Sequence, residues 1–253
     1  MFDKFGGKTA VIAVVLVVVA ALFLAGCKSK KEKCAVKKCP VKVVDGTPLT
    51  AEERAKLTPD DVLNILKKGN KEFVEGKLTV RNTPKMVRLA ADGQFPKAVV
   101  VSCLDSRIPA EDVFHRALGD MFVARIAGNF VNTDILGSLE FACRVAGAKL
   151  IVVLGHESCG AVNAAIDNVE LGNITALLSN IRPAVTSVEA NFQGEKSTNN
   201  LEFVEAVLRQ NVKQSIEKIR TNSEILREME QNGEIKIVGG IYRMATGKVD
   251  FFQ

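Results

Sequence analysis

Two short stretches of the chain carry side chains suited to metal chemistry. Cys103-Leu104-Asp105-Ser106-Arg107 presents a thiol, a carboxylate and a guanidinium at alternate positions, directly after an apolar run that ends in three valines and a serine. Gly155-His156-Glu157-Ser158-Cys159-Gly160 sets an imidazole three residues before a thiol, again directly after an apolar run. If the chain stays extended past the valines, positions 103, 105 and 107 point to one side of a sheet. If a helix starts after Gly155, His156 and Cys159 lie on one of its faces. Two thiolates and one imidazole make a zinc donor set that leaves the fourth tetrahedral position open, as in catalytic rather than closed structural sites. The chain has two histidines, and His156 is the one in ligand spacing with a cysteine. His115 reads as a helix residue satisfied locally. Cys143, inside a helical pattern, reads as a small buried apolar residue.

The elements that position these groups follow from hydropathy. "AVVVSC", "MFVARI" and "LIVVLG" are continuous apolar runs, the mark of strands buried on both faces of a parallel sheet. Between the last two lies the helical pattern "TDILGSLEFACRVAGA". From Thr58, a Thr cap, a Pro at the first helical position and two acids in the first turn predict an N-terminal helix. Helical patterns also run to about Asp167, from about Asn173 to Asn191, and from Leu201 to about Gln231 with breaks. "IKIVGGIYRMATGKVDFF" then closes the chain as two strands around a Thr-Gly turn. The expected fold is α/β: four parallel strands plus a C-terminal antiparallel edge strand, flanked by helices, with an N-terminal helical arm. Both candidate motifs fall at carboxyl ends of parallel strands, where open α/β sheets bind ligands.

With 253 residues and 47% hydrophobic content, one packed domain is expected and disorder is excluded. Residues 1–26 have lysines at 4 and 8 and then an apolar run to Ala25, a secretory signal pattern. Leu24-Ala25-Gly26-Cys27 resembles a bacterial lipobox, in which cleavage leaves Cys27 as a lipidated N-terminus; the alternative is an uncleaved membrane anchor. Both place the folded part outside the cytoplasm, lipid-anchored or tethered to a membrane of a bacterial cell envelope. Residues 27–57 read as a tether, with seven lysines against one glutamate between Lys28 and Lys42. Cys34 and Cys39 within it fit a small disulfide, a metal pair or two free thiols. Residues 1–42 carry the basic charge and the remainder is slightly acidic, so nothing calls for nucleic acid. Residues 58–253 form the expected catalytic domain.

From about Thr58 to the end, the chain resembles the β-class carbonic anhydrases. The resemblance rests on "CLDSRIP", "GDMFVARIAGN", "GSLEFA", "LIVVLGHESCGAV" and "IVGGIYRMATGKVDF", in that family's order and spacing. It implies a zinc lyase that reversibly hydrates carbon dioxide to bicarbonate and a proton, with one zinc per chain on Cys103, His156 and Cys159. Asp105 and Arg107 match the family's catalytic dyad. Asp105 would orient the attacking hydroxide, and Arg107 would keep Asp105 ionised and off the metal. The general example of a zinc-bound water that ionises at about pH 7 is itself a carbonic anhydrase, but one whose zinc sits on three neutral histidines; two thiolates donate more charge and should raise the value. Gln94, Phe122, Phe141 and Gly160 match substrate-pocket positions, although the two phenylalanines also suit an ordinary core. The resemblance further implies a homodimer or higher, with pocket groups from a neighbouring subunit and N-terminal helices embracing the partner. Another branch of the family binds inhibitory bicarbonate through a tryptophan. This chain has none, which implies that it lacks that switch. Two other readings fit parts of the pattern: a carbon disulfide or carbonyl sulfide hydrolase on the same scaffold, and a non-catalytic zinc-binding or thiol-redox envelope lipoprotein. The second has no use for Asp105 and Arg107.

Overall fold

The computed structural model describes residues 49–77 and 83–252, and the backbone pairing of 42–43 with 79–80. The expected signal peptide, Cys27, Cys34 and Cys39 lie outside the described residues. In chain order the elements are α1 (Ala51–Ala55), α2 (Pro59–Val74), α3 (Thr83–Ala90), β1 (Ala98–Ser102), α4 (Ala110–Val113), β2 (Met121–Arg125) and α5 (Thr133–Glu140). They continue with β3 (Leu150–His156), α6 (Gly160–Ile166), α7 (Gly172–Leu178), α8 (Arg182–Glu189), α9 (Leu201–Asn222), α10 (Glu224–Gln231), β4 (Lys236–Tyr242) and β5 (Val249–Phe252). Among the described residues no helix is long and apolar enough to cross a membrane.

The sheet runs β2-β1-β3-β4-β5, with β1 to β4 parallel and β5 antiparallel on β4. This is the expected α/β arrangement. The parallel register aligns Ser102 of β1 with Arg125 of β2 and Leu154 of β3, so three strands end close together. Helices cover both faces, which is why β1 and β3 are apolar without alternation. Val99, Val101, Ile151 and Val153 pack toward α6, α8 and α9, whereas Val100, Leu150 and Val152 pack toward α2 and α4. Each fully buried aliphatic side chain in these two cores contributes roughly 1.5–3 kcal/mol.

Thr58 caps α2 as the sequence predicts: its side chain accepts from Asp61 N, and Asp61 accepts in return from Thr58 N. Asn70 then ties α2 to the sheet. It donates to Val113 O and Gly247 O and accepts from Val249 N at 2.8 Å, all in a buried setting. A short helix, α1, precedes Thr58 inside the segment read as tether; Arg54 on it bonds Ala146 O and lies over the Phe95 ring.

Several boundaries differ from the expected ones. The 133–148 helix widens to a π turn at Phe141–Val145, leaving Phe141 and Val145 exposed. The 173–191 pattern divides into α7 and α8. The break in the next pattern falls at Ser223, an extended residue whose hydroxyl caps α10. His115 sits not in a helix but in a left-handed turn after α4 (φ 52), 3.5 Å from Glu72.

Candidate metal centre

Cys103, His156 and Cys159 come together at the carboxyl ends of β1 and β3, with their donor atoms all within 4.8 Å of one another. All three are buried. Neither local geometry expected from spacing is the one that achieves this. β1 stops at Ser102, and Asp105 then bends the chain, its Oδ1 accepting from Arg107 N at 2.9 Å. Alternation therefore does not run through 103, 105 and 107. Likewise His156 is the last residue of β3, not part of a helix, because β3 still pairs with Tyr242 of β4 there. Ser158 turns the chain through a left-handed conformation (φ 53), and Cys159 becomes the N-cap of α6.

The donor chemistry fits a metal. His156 Nδ1 lies 2.8 Å from Glu157 O. A carbonyl can only accept, so Nδ1 carries the proton and Nε2 keeps a lone pair. That Nε2 is buried and has no hydrogen-bond partner, an orphaned acceptor beside two sulfurs. The Cys103 thiol is held well below the ordinary thiol range, chiefly by the hydrogen bond from Cys159, with the Gly128 N–H assisting and burial opposing. Cys159 is pushed up because it keeps the proton the two sulfurs share, and burial adds to this. Cys143, by contrast, is raised to about 12 by burial alone and stays an inert thiol.

Asp105 stands beside this group. Arg107 Nε donates to Oδ1 at 2.9 Å and Nη2 to Oδ2 at 2.6 Å, so both carboxylate oxygens are engaged. These bonds hold the carboxyl well below the usual carboxylate range. Arg107 Nη2 also reaches Ser158 O at 3.3 Å, linking the pair to the turn between His156 and Cys159.

Three supports have no local sequence signal. Arg125, at the end of β2, donates to the carbonyls of Cys103 and Asp105 and fixes their turn. The Gly128 N–H donates to Cys103 Sγ at 3.3 Å. Glu157, whose carbonyl orients His156, is itself clamped by Arg243 and by Met244 N.

A cleft of about 520 Å³ runs beside His156 and Cys159, lined by Val162, Val204 and Leu208 together with the charged Glu202, Glu205 and Arg243, and the Asp105–Arg107 pair lies outside its lining. Gly160 lies next to Cys159 as the first residue of α6. Phe122 and Phe141 pack edge to face at 6.5 Å and line a separate groove along the β2 edge of the sheet. Gln94 is exposed in the loop before β1. A single chain thus gathers Cys103, Asp105, Arg107, His156, Cys159 and Gly160, and leaves Gln94, Phe122 and Phe141 outside that group.

Comparison with known proteins points one way. The family model for carbonic anhydrase matches residues 98–249. Carbonic anhydrase 2 of Mycobacterium tuberculosis is 37% identical over 186 residues, covering 72% of this chain and 87% of that one. The carbonic anhydrase of Mycolicibacterium smegmatis is 36% identical over 192 residues, covering 73% and 89%. Among solved structures, the β-carbonic anhydrase CafA of Aspergillus fumigatus superposes with a TM-score of 0.61 at 25% identity, over 77% of this chain and 90% of that one. A tetrameric β-carbonic anhydrase of Sordaria macrospora does so with a TM-score of 0.59 at 26% identity, over 67% and 86%.

Proposed function

The chain belongs to the β-class carbonic anhydrases, and we propose that it hydrates carbon dioxide with one zinc held by Cys103 Sγ, Cys159 Sγ and His156 Nε2. The orphaned Nε2 beside two buried sulfurs is the observation that carries this reading. When bound, zinc would supply the Lewis acidity that lowers the pKa of a water far below its bulk value and so makes the ionised nucleophile available.

The chain's own groups supply the rest. The Glu157 carbonyl keeps the proton on Nδ1, so His156 presents Nε2 as a donor at every turnover. Asp105 stays ionised and accepts a hydrogen bond from the nucleophile, which turns a nucleophile lone pair toward the carbon of carbon dioxide. Arg107 occupies both Asp105 oxygens and so keeps the carboxylate from swinging onto the metal. The test is stopped-flow hydration of carbon dioxide by purified protein with zinc quantified. One zinc per chain with turnover is expected; full zinc without hydration would overturn the reading.

The proposal extends to assembly and place. A homodimer or larger assembly would bring a second copy's Gln94, Phe122 and Phe141 to the centre; the tetrameric relative and the exposed Phe141 on the groove beside the β2 edge support this. A fully active monomer by light scattering would refute it. The lipobox-like Leu24-Ala25-Gly26-Cys27 supports a lipid anchor on Cys27 and an envelope location outside the cytoplasm. Cys27→Ser should release or mislocalise the protein without changing its turnover, and wild-type protein recovered from cytosol with an unmodified Met1 would reject the anchor.

A further inference from the structure

Gly128, whose N–H reaches Cys103 Sγ, opens a left-handed turn. Its φ is 81, and Asn129 follows at φ 43, so two successive residues lie in the left-handed region. Glycine and asparagine are the residue types that adopt such a turn most readily, and packing fixes where it lies. The contacts that fix it come from α9. Asn211 Nδ2 donates to Gly128 O at 2.8 Å, and one helical turn on, Ser215 Oγ donates to Asn129 O at 3.5 Å. Both side chains are 2% exposed. From the other side Ile181 closes on the loop: a Cβ at Gly128 would stand 2.3 Å from Ile181 Cδ1.

Asn211 occupies the buried stripe of α9 among Val207, Leu208 and Val212. A polar side chain there is costly unless satisfied, and its partner is the carbonyl of the same residue whose N–H serves the sulfur. We propose that Asn211 is a positioning residue for the metal centre: it holds Gly128 in the turn that keeps a backbone N–H on Cys103 Sγ, and so sets how firmly that sulfur holds a metal. The inference rests on the reading that Cys103, His156 and Cys159 bind zinc. An N–H donated to a ligating thiolate fixes the direction of its lone pairs and withdraws electron density from it. Losing that bond loosens the sulfur and leaves it more electron-rich.

The test uses full-length protein with Asn211→Leu, which keeps the bulk and removes the donor, and with Ile219→Val as a packing control further along α9. Zinc affinity is measured by chelator competition, and the thiolate-to-metal charge-transfer band is read after cobalt substitution. Asn211→Leu should weaken zinc binding by about 10- to 100-fold and move the band to longer wavelength, whereas Ile219→Val should change neither. If Asn211→Leu does not fold, Asn211→Ala carries the same measurement. Wild-type affinity and band position in the Asn211 variant, or an equal shift in Ile219→Val, would overturn this inference while leaving the zinc reading intact. Wild-type protein that takes up no zinc would overturn both.

Discussion

Adding one methyl group at Gly155→Ala tests how the strand that ends in His156 is packed. The new Cβ would stand 2.7 Å from Val212 Cγ2, 3.0 Å from Leu208 Cδ1 and 3.2 Å from Ile241 Cδ1. Unstrained carbon contacts lie at about 3.5–4.0 Å. Backbone conformation is not at issue, since Gly155 does not have a positive φ. Val212 and Leu208 belong to α9 and Ile241 to β4, so relief requires these packed side chains, the Val212 methyl above all, to shift within the core between helix and sheet. Overpacking of this kind costs about 1–3 kcal/mol, and three simultaneous contacts place Gly155→Ala at about 2–3 kcal/mol. With a urea slope of about 2 kcal/mol/M, the unfolding midpoint should fall by about 1–1.5 M. Gly160→Ala is the matched control on the other side of the same ligands: its Cβ would meet nothing within 4 Å. At the start of α6, alanine also gains up to about 1 kcal/mol in helix propensity. Urea unfolding followed by circular dichroism should therefore give a lowered midpoint for Gly155→Ala and an unchanged or raised one for Gly160→Ala. Equal midpoints for Gly155→Ala and wild type would refute the argument that α9 is seated directly on this glycine.

Other outcomes follow from the same contacts. Asp105→Asn should retain zinc by elemental analysis while carbon dioxide hydration falls about a hundredfold or more, the usual scale for losing a proton-accepting group; unchanged turnover would remove Asp105 from the mechanism. Asn70→Ala leaves the buried Val113 O, Gly247 O and Val249 N without their partner and should cost about 2–4 kcal/mol in denaturant unfolding; a loss under about 0.5 kcal/mol would mean that these bonds do not anchor α2. Because Arg107 lowers the Asp105 carboxyl in the folded state, the stabilisation from that pair is fully present above the unfolded carboxylate value of about 3.9 and is lost as pH falls below it. The stability gap between wild type and Asp105→Asn should stay constant from about pH 8 to about pH 4.5 and narrow below that; narrowing near pH 6 would mean that Asp105 is not held ionised.

What the sequence disclosed and what it withheld divide along the range of the interactions. The apolar runs of β1 and β3 and the Thr58-Pro59-Asp60-Asp61 cap are local signals, and they locate the strands and α2 correctly. The chemical types of the donors are local too, so Cys103, His156 and Cys159 stand out before any fold is known. How they converge is not a local matter, because a separation of three residues fits a helix face and a strand-to-turn junction equally well. The choice is made elsewhere: the pairing of His156 with Tyr242 on β4 extends β3 to its last residue, and the left-handed Ser158 supplies the reversal. The supports of the site are harder still to read, since Arg125, Gly128 and Asn211 act on partners separated from them by 20 to 83 residues. Yet Asn211 does leave a trace. An amide on the apolar stripe of α9, with Val207, Leu208 and Val212 for neighbours, breaks the pattern of a core-facing helix, and a buried amide needs a partner. The sequence therefore announces that something polar must come to meet Asn211; that it is the carbonyl of Gly128, whose N–H lies on Cys103 Sγ, depends on tertiary packing.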